Sequence, residues 1–150
     1  MGELLGVPEW LAAAGFVVTG LTIWLGLGFV LHRRALARVA ARRPNPSEAE
    51  FLAMMAQECS PEAAQFVWEQ ALCYVAPRLT PHPDDLLRGD LCIDDDDLAM
   101  DWTREWTERQ GISEGSLPHW PEGWPLTVRN FARWLDQSAG LAPSRFSAAE

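Results

Sequence analysis

A chain of 150 residues, 48% of them hydrophobic, has material for one compact domain and an appendage. Its net charge is −9, with a pI of about 4.7, and all 12 basic residues are arginine. The balance is uneven: residues 1–43 carry five Arg and two Glu, whereas residues 44–150 carry seven Arg and nineteen acids, so the larger part repels phosphates and nucleic acid is not its partner.

From Trp10 to Leu31 the chain runs 22 residues without a charge, which at about 1.5 Å per residue matches a bilayer core of about 30 Å. The run predicts a transmembrane helix rather than a cleaved signal peptide, because no positive charge precedes it and it is long for a signal's apolar region. His32, Arg33, Arg34, Arg38, Arg42 and Arg43 follow it, whereas Glu3 and Glu9 precede it. By the positive-inside rule, residues 1–9 form a short external N-terminus and the C-terminal domain lies in the cytoplasm, as in a single-pass protein of a bacterial inner membrane. Along this helix Ala12, Gly15, Thr19, Thr22 and Gly26 share one face. Such a stripe suits homodimer formation, although membrane helices are rich in small residues in any case.

Residues 32–46 read as a basic juxtamembrane linker that ends at Pro44 and Pro46. A helical domain is predicted over 47–140. Ser47 and Glu50 form a capping box for a helix to about Glu58, and Ser60 with Pro61 opens a second helix to about Ala76. The inward face of the second would hold Ala64, Val67, Ala71, Tyr74 and Val75, with Phe66 at the margin. A Pro- and Asp-rich loop follows, pinned by Leu79, Leu86, Leu87, Leu91 and Ile93. A third helix is predicted from about Asp95 to Gln110, with Leu98, Trp102 and Trp106 inward, Thr103 among the outward residues, and Gly111 as its stop. After a Trp-bearing loop, Thr127 caps a fourth helix carrying Val128, Phe131, Trp134 and Leu135 on one face, and Gly140 ends it. Residues 141–150 read as a disordered tail. No strand pattern exceeds a few residues, so the fold class is all-α.

The chemistry-bearing residues are few. Cys59, Cys73 and Cys92 lack metal or redox spacing, and Asp90 and Asp94 would raise the thiol pKa of Cys92. His82 and His119 are isolated in proline-rich loops and read as solvent-facing. Asp94, Asp95, Asp96 and Asp97 form an unbroken acidic run at the start of the third helix, continued by Asp101 and Glu105. One or two carboxylates suffice to cap a helix and complement its dipole. The excess leaves three readings open: a solvated helix start, a docking surface for a basic protein, or cation association. As an EF-hand the run fails, since Leu98 and Ala99 occupy its fifth and sixth positions. Trp120 and Trp124 lie in the last loop, where they either fold back on the core or form an aromatic interaction patch.

The order of elements, with "DDLLRGDLCID" before the third helix and "LTVRNFARWL" opening the last, resembles the acyl carrier protein family over about residues 61–138. That family carries Asp-Leu-Gly-x-Asp-Ser-Leu at the first place and Thr-Val at the second. Asp90, Leu91, Ile93 and Asp94 match the one, and Leu126, Thr127 and Val128 the other. In detail the chain is similar to a serine-lacking bacterial branch with an acidic turn. The resemblance implies a four-helix carrier-like domain, but the serine that would hold phosphopantetheine falls at Asp95 or Asp96, and no serine lies between Ser60 and Ser113. Thr103, two turns into the helix, is a poor substitute.

These features predict a membrane-anchored, non-catalytic, cofactor-free interaction module whose acidic helix, with Trp120 and Trp124, meets a protein with a basic surface. A genuine acyl or peptidyl carrier in membrane lipid or polyketide assembly is one alternative, weakened by the missing serine. A small acidic inhibitor or immunity-type protein is another, which explains the charge but not the anchor.

Overall fold

The computed structural model describes residues 9–138 and 140, without the side chains of Glu9 and Ala12. The segment before Glu9, predicted to be external, and the tail 141–150, predicted to be disordered, lie outside the described residues. The chain divides into two compact units, residues 1–35 and 36–150.

The first unit is helical throughout its described length and forms most of α1, Glu9–Ala40. Its apolar side chains are exposed on all sides, Phe16 by 82% and Trp24 by 71%, and it includes a stretch long and apolar enough to cross a membrane. Such a surface is unfavourable in water and suits a lipid surround.

The second unit is all-α. It begins at Leu36 rather than at residue 47, because Leu36 and Val39 on the last turns of α1 are buried in its core. The stretch 32–46 is therefore not wholly a linker: residues 36–46 are part of the second unit. Arg43 fixes it there, donating to the Asp85 carboxylate and, at 2.8 Å, to Thr80 O.

Four helices follow: α2 Glu48–Met55, α3 Pro61–Val75, α4 Thr103–Gln110 and α5 Val128–Ser138. A π-helical segment, Asp97–Trp102, runs directly into α4. Both predicted serine caps form: Ser47 exchanges bonds with Glu50, and Ser60 Oγ accepts the Ala63 amide at 3.2 Å. Thr127 Oγ1 likewise accepts the Asn130 amide at 3.2 Å. Gly111 closes α4 with φ of 66°, a left-handed conformation that costs glycine little.

The core is strongly aromatic. Trp102 and Trp106 are 1% exposed, and Phe66 packs on Trp106 with ring centroids 5.2 Å apart. Phe66 is thus fully internal rather than marginal, and Trp68, set against Phe51 at 5.0 Å, joins it. Tyr74 is only half-buried. Leu79, Leu87, Leu91 and Ile93 anchor the long loop as predicted, whereas Leu86 is 43% exposed. Leu86 instead makes a lone antiparallel bridge with Thr127, flanked by Leu87 N–H to Leu126 O at 3.0 Å and Val128 N–H to Asp85 O at 3.0 Å. This backbone pairing fastens the loop to the start of α5.

Candidate functional site

The approach to the acidic run is tightly wound. Asp90 accepts the Leu86 amide at 2.9 Å through Oδ2, and the Asp90 and Leu91 amides return to Leu86 O. Cys92 then adopts φ of 57°, left-handed and disfavoured for a residue with a Cβ. Ile93 is buried, and the chain becomes helical at residue 95.

The acids beyond it differ in exposure and partners. Asp94, Asp95 and Asp96 are exposed. The Asp95 carboxylate faces Arg88 at 2.8 Å, and Asp96 makes no side-chain capping bond to the π-helical turn. Asp97 is half-buried beside Tyr74, whose hydroxyl pKa is raised by burial, with the Asp97 and Asp101 charges adding to it. Asp101 pairs with Arg104 at 2.7 Å. Glu105 accepts from Arg109 at 2.6 Å and from Gln70 at 2.7 Å. Arg109 also bridges to Glu69 at 3.0 Å and lies over the Phe66 ring at 5.0 Å. Of the six predicted acids, Asp94, Asp95, Asp96 and Asp101 are exposed, Asp95 and Asp101 each within an ion pair, and Asp97 and Glu105 are half-buried.

Behind this run the π-turn opens the molecule. The Thr103 amide reaches Met100 O, and the Thr103 hydroxyl donates to Ala99 O at 2.6 Å. Thr103 is 6% exposed, not outward; Thr107, one turn on, is also buried, so the inward face of this helix is wider than the Leu98, Trp102 and Trp106 stripe. Leu98, Ala99 and Thr103 line one part of a groove of about 280 Å³, and Phe131, Trp134 and Leu126 another; Trp120 and Asp95 complete it. No residue pattern announces it, since a π-turn has no sequence signal comparable to a capping box.

The loop tryptophans fold back rather than forming a free patch. Trp120 lies 5.6 Å from Trp134 and 6.2 Å from Trp124 between ring centroids, and its indole N–H donates to Trp124 O at 3.2 Å. Arg133 covers Trp124 at 4.8 Å. Only Trp120 reaches the groove.

The remaining candidates are structural in their contacts. Burial pushes the Cys59 thiol up to about 12. Burial also raises Cys92, with Asp90 and Asp94 reinforcing it against Arg38. Exposed Cys73 directs its thiol to Glu69 O at 3.4 Å. His82 is half-buried, not solvent-facing, and its Nδ1 accepts the Asp84 amide at 3.2 Å. His119 is exposed. On α1, Gly15, Thr19, Thr22 and Gly26 are exposed, and a Cβ added at Gly15 or Gly26 would meet nothing within 4 Å; the Ala12 side chain lies outside the described set.

Comparison with protein-family models, curated proteins and solved structures finds no match.

Proposed function

We propose that this chain is a membrane-anchored, non-catalytic interaction module of acyl-carrier-like architecture, which docks a basic protein at the start of its acidic helix. One observation carries the reading. Asp94, Asp95 and Asp96 stand exposed side by side, with Asp95 turned to Arg88 and Asp96 not engaged in capping the π-helical turn. Three exposed like charges in succession, more than a cap needs, favour a surface kept for a partner, where complementarity sets orientation and encounter rate.

The carrier resemblance draws support from the order of elements and from Cys92. Its left-handed backbone falls where the family signature has glycine, the residue that adopts this conformation freely. At the serine position stands Asp95 or Asp96, neither of which offers a hydroxyl, and the Thr103 hydroxyl is buried and committed to Ala99 O. Both favour a carrier-like frame used for binding without a phosphopantetheine arm. The five arginines between Arg33 and Arg43 support a cytoplasmic domain on an inner-membrane anchor with an external N-terminus.

The test compares wild type with the variant carrying Asp94→Asn, Asp95→Asn and Asp96→Asn. Partner recovery from native membranes at low salt is expected to fall while the melting temperature holds, and wild-type recovery is expected to fall as salt rises. Equal recovery by the variant at low salt removes the docking reading. A reporter fused after Glu150 that is active only outside the cytoplasm removes the orientation.

A further inference from the structure

We infer that the groove beside the π-turn seats one large apolar side chain of the partner, so that the docked segment combines an aliphatic or aromatic anchor with neighbouring arginines or lysines. This rests on the docking reading and adds a second, separable element to it. The groove's polar groups are already satisfied. Thr103 Oγ1 donates to Ala99 O at 2.6 Å, Trp120 Nε1 to Trp124 O at 3.2 Å, and Trp134 Nε1 to Pro118 O at 2.9 Å. What it offers an occupant is therefore the apolar surface of Leu98, Ala99, Leu126, Phe131 and the two indoles.

Size narrows the occupant further. A volume of about 280 Å³ stands at the lower end of the roughly 300–1,000 Å³ of small-ligand sites, and has room for one bulky side chain. Charge then selects its setting. Asp95 is part of the groove lining, with exposed Asp94 and Asp96 adjoining it in the chain, and the Arg88 partner of Asp95 is itself 73% exposed. An ion pair that open to water is readily exchanged for a partner's guanidinium. An apolar anchor flanked by cations meets both features at once, the arrangement in which a few buried residues dominate binding.

The experiment uses the full chain in phosphatidylcholine nanodiscs and a library of short random peptides, with enriched sequences synthesised and their affinities measured by fluorescence anisotropy. The expected consensus places Leu, Ile, Phe or Trp among Arg or Lys. Ala99→Trp, which fills the groove from an exposed helical position, is expected to weaken such peptides about tenfold. The Asn triple variant is expected to weaken them at low salt but to match wild type near 1 M salt, where the screening length is about 3 Å. Should Ala99→Trp fail to fold, Ala99→Met is read in the same way. Basic peptides that lack an anchor and ignore Ala99→Trp would overturn the groove assignment and leave the acidic docking reading standing. Absence of basic peptides from the enriched set would overturn both. A fluorescent fatty acid displaced by Ala99→Trp, with no anchored peptide enriched, would give the groove to lipid and overturn this proposal.

Discussion

The start of α3 and the helical start at residue 95 use polar side chains in opposite ways. At α3, Ser60 Oγ accepts the Ala63 amide, Asp136 accepts the Ser60 amide at 3.0 Å, and Pro61 occupies the first turn where its missing N–H is harmless. At residue 95 four consecutive aspartates are present, yet Asp95 faces Arg88, Asp96 makes no capping bond to the π-turn, and Asp97 leans on Tyr74. The first start is held by acceptors aimed at its backbone amides, Ser60 within the turn and Asp136 from α5. The second is held by what lies beneath it, Leu98, Trp102 and Trp106, which leaves its carboxylates exposed and its backbone able to tolerate a π-turn. The two helix starts thus differ in where their acceptors point: to backbone amides at Ser60, and to solvent, Arg88 or Tyr74 around residue 95.

The comparison breaks most visibly if the second helix does not depend on its buried side. Trp106→Ala is expected to cost about 3–5 kcal/mol in denaturant unfolding, since the ring is 1% exposed and its N–H donates to Leu135 O at 3.2 Å. A cost below about 1 kcal/mol would mean that this helix is held elsewhere. Next in size, Ser60→Ala is expected to cost about 1 kcal/mol through loss of the cap at α3.

Cys92→Gly sharpens the contrast at the entry to the acidic helix. Relief of the left-handed backbone, offset by the greater freedom of glycine when unfolded, is expected to leave a gain of about 0.5 kcal/mol, read as a raised urea midpoint. A lowered midpoint would show that the Cys92 side chain contributes more than its backbone costs. The change of Asp94, Asp95 and Asp96 to Asn should fall within about 0.5 kcal/mol of wild type, because all three are exposed and Asn caps a helix as well as Asp does. A larger loss would make the run a structural cap after all.

The smallest effect concerns pH at the capping box of α2. Backbone and side-chain bonds from Ser47 lower the pKa of Glu50, so its folded value lies below the ordinary 4.5. Its stabilising contribution is complete above 4.5 and is lost as pH falls through the lower folded value. Glu50→Gln should therefore be less stable than wild type at pH 7, and the gap should close on acidification. A gap unchanged by acid would place the stabilisation outside that carboxylate.

Much of this protein was determined by local chemistry. An uncharged run of 22 residues, two serine caps, a glycine stop and aromatic residues at helical spacing specify their elements because each signal acts within one or two turns of itself. The core positions of Leu98, Trp102 and Trp106 followed from the same periodicity. What tertiary structure decided are the features that depend on distant partners. Arg43 meets Asp85 across 42 residues and holds the segment after α1 in the domain, Leu86 gives up burial for a backbone bridge to Thr127, and Leu98, Ala99 and Thr103 form the groove with residues of α5. Neither the salt bridge nor the groove has a local pattern, because each exists only once packing sets the spacing between elements far apart in the chain, and packing energy outweighs the local preference of any one of their residues.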